Sequence, residues 1–165
     1  MGIFIYCYTA TGKSTLGKKY SNVIDMESTL YKYGLQVENE KIKGTNRNLN
    51  EEYPNNYFKA LFDVKDKYDY ILISDYICND WLIENGFEYW QIYPNKELKE
   101  EYLKRMESRG NIKDFIDYQS KMWDEWIDGC ANDENATKHI ELQQGQHLED
   151  VLPNLVLKEK YDRIY

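Results

Sequence analysis

Arginine, cysteine and proline are all scarce in this chain of 165 residues. Four arginines (Arg47, Arg105, Arg109, Arg163) and a balance of 21 basic against 29 acidic side chains leave a formal charge of −8. Neutralising a duplex's phosphates needs the opposite balance, so duplex nucleic acid is excluded as an expected partner and small soluble molecules take its place. Three cysteines, Cys7, Cys78 and Cys130, are an odd number without C-x-x-C spacing. That argues against a disulfide framework or a zinc site and for a reducing compartment. No apolar run approaches the roughly 18 residues of a membrane span, no cleavage site follows Met1 to Cys7, and Tyr6 stands where a myristoylation signal needs Ser or Thr. A cytoplasmic location without a membrane partner is the expectation. With three prolines (Pro54, Pro94, Pro153) and no repeat or flexible linker, residues 1–165 read as one continuous domain.

What is present is core-forming material: 42% apolar and 15% aromatic residues, 16 of them Tyr. This is too much for a disordered chain. The run from Ile3 to Tyr8 is unbroken, as for a central strand of a parallel sheet covered on both faces. Thr9 to Gly12 break it, and a helix is expected over Ser14–Tyr20. Val23-Ile24 form a short second strand, Tyr70–Ile73 and Tyr89–Tyr93 two strong ones, and Lys138–Leu142 an alternating edge strand. Helices are expected over Asp80–Asn85, Lys96–Arg109 and Lys113–Ile127, the last closed by Gly129 and packed through Phe115, Tyr118, Met122 and Trp126. Residues 27–67 are loosely helical and polar, with an amphipathic stretch at Asn56–Val64. Alternating strands and helices give an α/β class with a parallel sheet.

The strongest chemical signal is Cys7-Tyr8-Thr9-Ala10-Thr11-Gly12-Lys13-Ser14, which fits the phosphate-loop pattern G-x-x-x-x-G-K-S/T everywhere but its first position, where Cys7 replaces Gly. Phosphates need inward backbone N–H groups, a lysine for the outer oxygens and a hydroxyl for Mg²⁺. An ordinary helix start also carries Gly-Lys-Ser, but a buried strand before and a helix after are the setting the motif requires. A GTPase is not indicated: Tyr76, Ile77 and Cys78 follow Asp75, and Asn95-Lys96-Glu97-Leu98 lacks the base-reading aspartate.

Further candidates follow along the chain. Ile71 to Asp75 looks like a Walker B strand, with Asp75 and Ser14 holding Mg²⁺, the former through water. Arg105 and Arg109, four apart on one helix, flank its apolar stripe; they either pair with Glu101 and cover apolar surface or close over transferring phosphates. Asp25, Glu27 and Ser28 end the second strand, where an acceptor can be bound. Asp25 is a general base if the acceptor is a hydroxyl and an orienting group if it is a phosphate. Arg47 either grips an acceptor phosphate or is a solvated loop charge. The four tryptophans read as core.

With Ile5 to Leu16, Val23 to Ser28, Tyr93-Pro94-Asn95 with Glu97 to Tyr102, and Arg105 with Arg109-Gly110, the sequence resembles the nucleoside and nucleoside-monophosphate kinases of the P-loop class, adenylate-kinase-like in layout, especially short nucleotide kinases of phages and low-GC bacteria. The resemblance implies a three-layer P-loop NTPase fold with a five-stranded parallel sheet in the order 2-3-1-4-5. It also implies an acceptor-binding insert at about 29–67, a short helical lid at about 96–128, and an adenine site near Gln144 and Gly145. ATP would bind through Thr9, Ala10, Thr11, Gly12, Lys13, Ser14 and Thr15, with Lys13, Arg105, Arg109 and Asp25 catalytic. The expectation is an ATP- and Mg²⁺-dependent kinase, monomeric or homodimeric, acting on a nucleoside monophosphate, ribo or deoxy. A kinase for a nucleoside or a polynucleotide 5′-hydroxyl, or a protein that binds nucleotides without turnover, remains open.

Overall fold

Successive residues of a strand face opposite sides of the sheet, and in this chain both sides are apolar. In the computed structural model, which describes residues 1–33 and 48–159, five strands form: β1 (Ile3–Cys7), β2 (Val23–Asp25), β3 (Tyr70–Ile73), β4 (Tyr89–Pro94) and β5 (Lys138–Leu142). All pair in parallel, in the order β2-β3-β1-β4-β5. Seven α-helices are described: α1 (Lys13–Lys19), α2 (Thr29–Tyr33), α3 (Asn55–Val64), α4 (Cys78–Glu84), α5 (Lys99–Ser108), α6 (Lys113–Ala131) and α7 (Leu148–Val151).

Ile5, Cys7, Leu72 and Ile92 point to one face, where Leu16 of α1 and Leu148 of α7 cover them. Phe4, Tyr6, Ile71 and Ile73 point to the other, under Tyr57 and Leu61 of α3 and Cys78 and Leu82 of α4. Further along that second face, Tyr8 and Tyr93 pack with Tyr102 and Met106 of α5 and Trp123, Ile127 and Cys130 of α6. Each fully buried Leu, Ile or Phe contributes about 1.5–3 kcal/mol relative to exposure. Burial on both faces is why β1 and β3 are unbroken apolar runs.

Several local features differ from the sequence expectation. The helix read as Lys96–Arg109 is a 3-10 turn at Lys96–Leu98 followed by α5. The Asn95 side chain accepts from Glu97 N and caps the turn, and Trp123 Nε1 donates to Lys96 O at 2.7 Å and pins it. Helix α6 does not close at Gly129 but runs to Ala131, because Ile127 and Cys130 on either side are still buried and outweigh the roughly 1 kcal/mol that a mid-helix glycine costs. Its buried stripe is Gln119, Trp123, Ile127 and Cys130. That is one residue on from the expected Phe115-Tyr118-Met122-Trp126 face, and Tyr118 is exposed. Segment 96–128 is seated on the sheet through Tyr93, Tyr102 and Trp123. Arg47, part of the insert and Arg163 lie outside the described residues.

Candidate functional site

The loop after β1 is built by local hydrogen bonds. Tyr8 N donates to Ile92 O at 3.1 Å, prolonging the strand, and Thr11 Oγ1 donates back to Tyr8 O at 2.7 Å. Cys7 stays within β1, buried, its thiol pushed upward by that burial. No tight turn is needed there, because the chain turns later, at Ala10 (φ 60°) and Gly12 (φ 97°). The second of these left-handed positions suits a glycine, which has no Cβ to clash. Leu16 N then donates to Gly12 O and α1 begins, while Leu148 N donates to Thr11 O and fixes α7 to the loop.

Lys13 Nζ lies 3.4 Å from Asp25 Oδ1 and 3.5 Å from Glu27 Oε2, and Ser14 Oγ donates to Asp25 Oδ2 at 3.3 Å. Gly17 makes this possible: a Cβ there would sit 3.2 Å from Asp25 Cβ and N, so a side chain would push α1 away from the end of β2. Burial works against the Lys13 charge, but Asp25 and Glu27 outweigh it and hold the ammonium above its ordinary range. Burial likewise works against the Glu27 carboxylate, while Lys13 and hydrogen bonds from Thr29 hold it below its ordinary value.

The two arginines have different surroundings. Arg105 donates to Ala10 O at 3.1 Å, Gln146 O at 3.0 Å and Glu101 Oε2 at 3.1 Å, over the Tyr102 ring at 4.4 Å. Glu101 in turn accepts from Gly145 N at 3.0 Å. Arg105 therefore ties α5, the phosphate-type loop and the loop after β5 together. Arg109 donates to Thr9 Oγ1 at 2.8 Å and to Asn111 Oδ1. Burial lowers its pKa, with Glu27 acting in the opposite sense.

Asp75 is placed elsewhere than expected. Its carboxylate accepts from Tyr53 OH at 2.6 Å, Ser28 Oγ at 3.2 Å and Ile77 N at 3.2 Å, and its carbonyl accepts from Tyr6 OH at 2.6 Å. It joins the end of β3 to the segment after β2, and the carboxylate against Ser14 is that of Asp25.

A cavity of about 1790 Å³ opens beside these groups. Residues 9–15, Glu27, Arg105 and Arg109 line it, and so do Tyr8, Tyr76, Gln91, Gln119, Trp126 and Cys130. Asp25, Ser28, Asp75, Gln144 and Gly145 do not line it: Asp25 stands behind Lys13 and Ser14, and the 143–146 loop is tied to α5. Of the residues that line the cavity, Gln91, Gln119 and Tyr76 have no site role in the sequence reading, and Trp126, read there as core, lines the cavity instead. A glutamine inside the buried run Tyr89–Tyr93 is the signal that points to Gln91.

Among the described residues no group of three or more His, Cys, Asp or Glu gathers into a metal cage, and no helix is long and apolar enough to cross a membrane. Ser14 Oγ and Asp25 Oδ2 are two adjacent hard oxygen donors, the kind Mg²⁺ prefers when substrate phosphates and water complete its shell. No protein-family model, curated protein or solved structure matches this chain.

Proposed function

We propose that this protein is a phosphotransferase of the P-loop kinase type that moves the γ-phosphoryl group of ATP to a nucleoside monophosphate. The observation that carries the reading is Lys13 and Ser14 at the exit of the central strand, backed by Asp25 and opening into a cavity larger than the roughly 300–1,000 Å³ that one small ligand fills. Such a volume has room for two substrates. Lys13 meets the outer phosphates of ATP, and Arg109, tethered through only two side-chain oxygens, swings onto the transferring group and stabilises its charge. Ser14, which lines the cavity, would hold Mg²⁺ directly and Asp25 behind it through water, and the ion would neutralise phosphate charge.

Asp25 favours a phosphate over a hydroxyl acceptor. Its two oxygens already face Lys13 and Ser14 and it does not line the cavity, so it is not presented to an acceptor proton. An acceptor phosphate is already anionic and needs no base: its oxygen bonds to the γ-phosphorus as the bond to the ADP oxygen breaks.

The test is incubation with Mg²⁺ and ATP against a panel of nucleosides and nucleoside monophosphates, read by ADP formation and product mass. A diphosphate product from at least one monophosphate, absent with Lys13→Ala, is expected. ADP release with nucleosides alone, or with no acceptor, overturns the reading.

A further inference from the structure

Gln91 is a buried amide in the middle of β4, 1% exposed. Its Nε2 donates to Asp133 Oδ2 at 2.8 Å, an oxygen that also accepts from Tyr89 OH at 2.8 Å. A carboxylate only accepts, so the amide cannot be turned over without setting oxygen against oxygen. Gln91 Oε1 is thereby fixed as an acceptor, and it has no partner among the described residues. Of the other buried polar atoms in this state, Tyr8 OH, Asn79 Oδ1, Tyr102 OH and Gln119 Oε1, two belong with Gln91: those of Tyr8 and Gln119, 8% and 7% exposed. All three residues line the same cavity.

The fold gathers them. Gln91 pairs with Tyr6 in the parallel register, and Tyr8 lies two residues on, so the three share a sheet face. Gln119, Trp126 and Cys130 fall on one side of α6, which packs over that face. Flat aromatic surface accompanies the polar atoms. Tyr76 stacks on Tyr6 at 5.2 Å between ring centres, its hydroxyl engaged with Cys130 Sγ at 3.0 Å. Trp126 meets Tyr118 edge-on at 5.5 Å. Aromatic faces around a fixed, unmatched acceptor suit a planar heterocycle that carries an N–H.

We propose that this end of the cavity is the nucleobase subsite of the acceptor. Gln91 Oε1 takes an N–H from the base edge, and Gln119 and Tyr8 complete the polar rim. The inference rests on the kinase reading and deepens it by naming the residues that read the acceptor's base. The aromatic faces stack on the ring, and the amide rejects a base whose edge nitrogen is blocked.

The experiment is calorimetric titration of the whole chain, saturated with Mg²⁺ and a non-hydrolysable ATP analogue. The titrants are AMP, GMP, CMP, UMP, dTMP and ribose 5-phosphate. At least one nucleotide should bind, and ribose 5-phosphate should bind at least about tenfold more weakly. Removing the donor N–H from the base edge of the best ligand (one methyl on the ring N–H of UMP or dTMP, two methyls on the exocyclic amine of AMP or CMP) should weaken it by a similar factor, as should Gln91→Met, with analogue binding within about twofold of wild type. The methylated ligand keeps the test valid if Gln91→Met does not fold. Ribose 5-phosphate binding as tightly as every nucleotide, or indifference to methylation, overturns the subsite while analogue binding keeps the phosphate-loop reading standing. Loss of analogue binding to the wild-type chain overturns both.

Discussion

At the scale of single residues, similar side chains are separated by what they touch. Lys13→Ala removes an ammonium that is paired with the largely covered Asp25 and the more exposed Glu27. The expected result is a cooperative melting curve at a somewhat lower temperature, since Asp25 and Glu27 lose their cation, with turnover lowered at least about a hundredfold, the loss of roughly 3 kcal/mol of transition-state contact. Arg105 spends its donors on three protein oxygens, and Arg109 bonds only two side chains. Arg109→Ala should therefore reduce kcat with melting temperature and ATP affinity unchanged. Arg105→Ala should lower both stability and turnover, as paired melting and steady-state measurements will show. Glu27 has a signature in acid. Its carboxylate is held below the ordinary value of 4.5, so its stabilising effect is complete above that pH and disappears as pH falls through the lowered native value. Glu27→Gln should lose that acid-dependent part, flattening the fall in stability as pH drops below 4.5 in melts of the two proteins.

At the scale of elements, the strands were legible in the sequence and the inward turn of one helix was not. Tyr70–Ile73 and Ile3–Cys7 are uninterrupted because helices cover both sheet faces, and an unbroken β-branched and aromatic run has few other uses. The stripe of α6 was read from its aromatics, yet Gln119 is buried and Tyr118 exposed. Both residues line the cavity, and hydrophobic periodicity does not register which of them is covered. Asp75 shows the same limit: a carboxylate ending a buried strand reads as a metal ligand until Tyr53 and Ser28, far away in sequence, are seen to bond it. Those bonds are the basis of a prediction. Asp75→Ala strips the acceptor from two hydroxyls and a backbone N–H, and should cost about 2–4 kcal/mol in urea unfolding. Asp75→Asn retains a carbonyl acceptor and should cost less. If Asp75 held the metal instead, both variants would unfold like wild type and lose turnover.

For the whole molecule, the loop after β1, β2, α5 and α7 are locked together by contacts that also shape the cavity, so ligand binding should be felt as global stability. The loop is bonded to α7 through Thr11 O and to α5 through Ala10 O, while Lys13 and Ser14 reach the end of β2. An unfolded chain has none of these surfaces adjacent and does not bind nucleotide. Mg²⁺ with a non-hydrolysable ATP analogue at about 100 times its dissociation constant should then add about 2.7 kcal/mol. For a domain of this length that corresponds to a rise of about 8 °C in melting temperature. The same ligand should leave Lys13→Ala nearly unshifted. A preferred monophosphate added on top should raise the wild type again, because it fills the part of the cavity that Gln91 and Trp126 line. Scanning calorimetry with each ligand alone and with both together gives the answer. Two shifts that add mean the cavity holds two ligands at once, and a monophosphate that shifts only the analogue-free protein means the two compete for one place and the two-substrate reading is wrong.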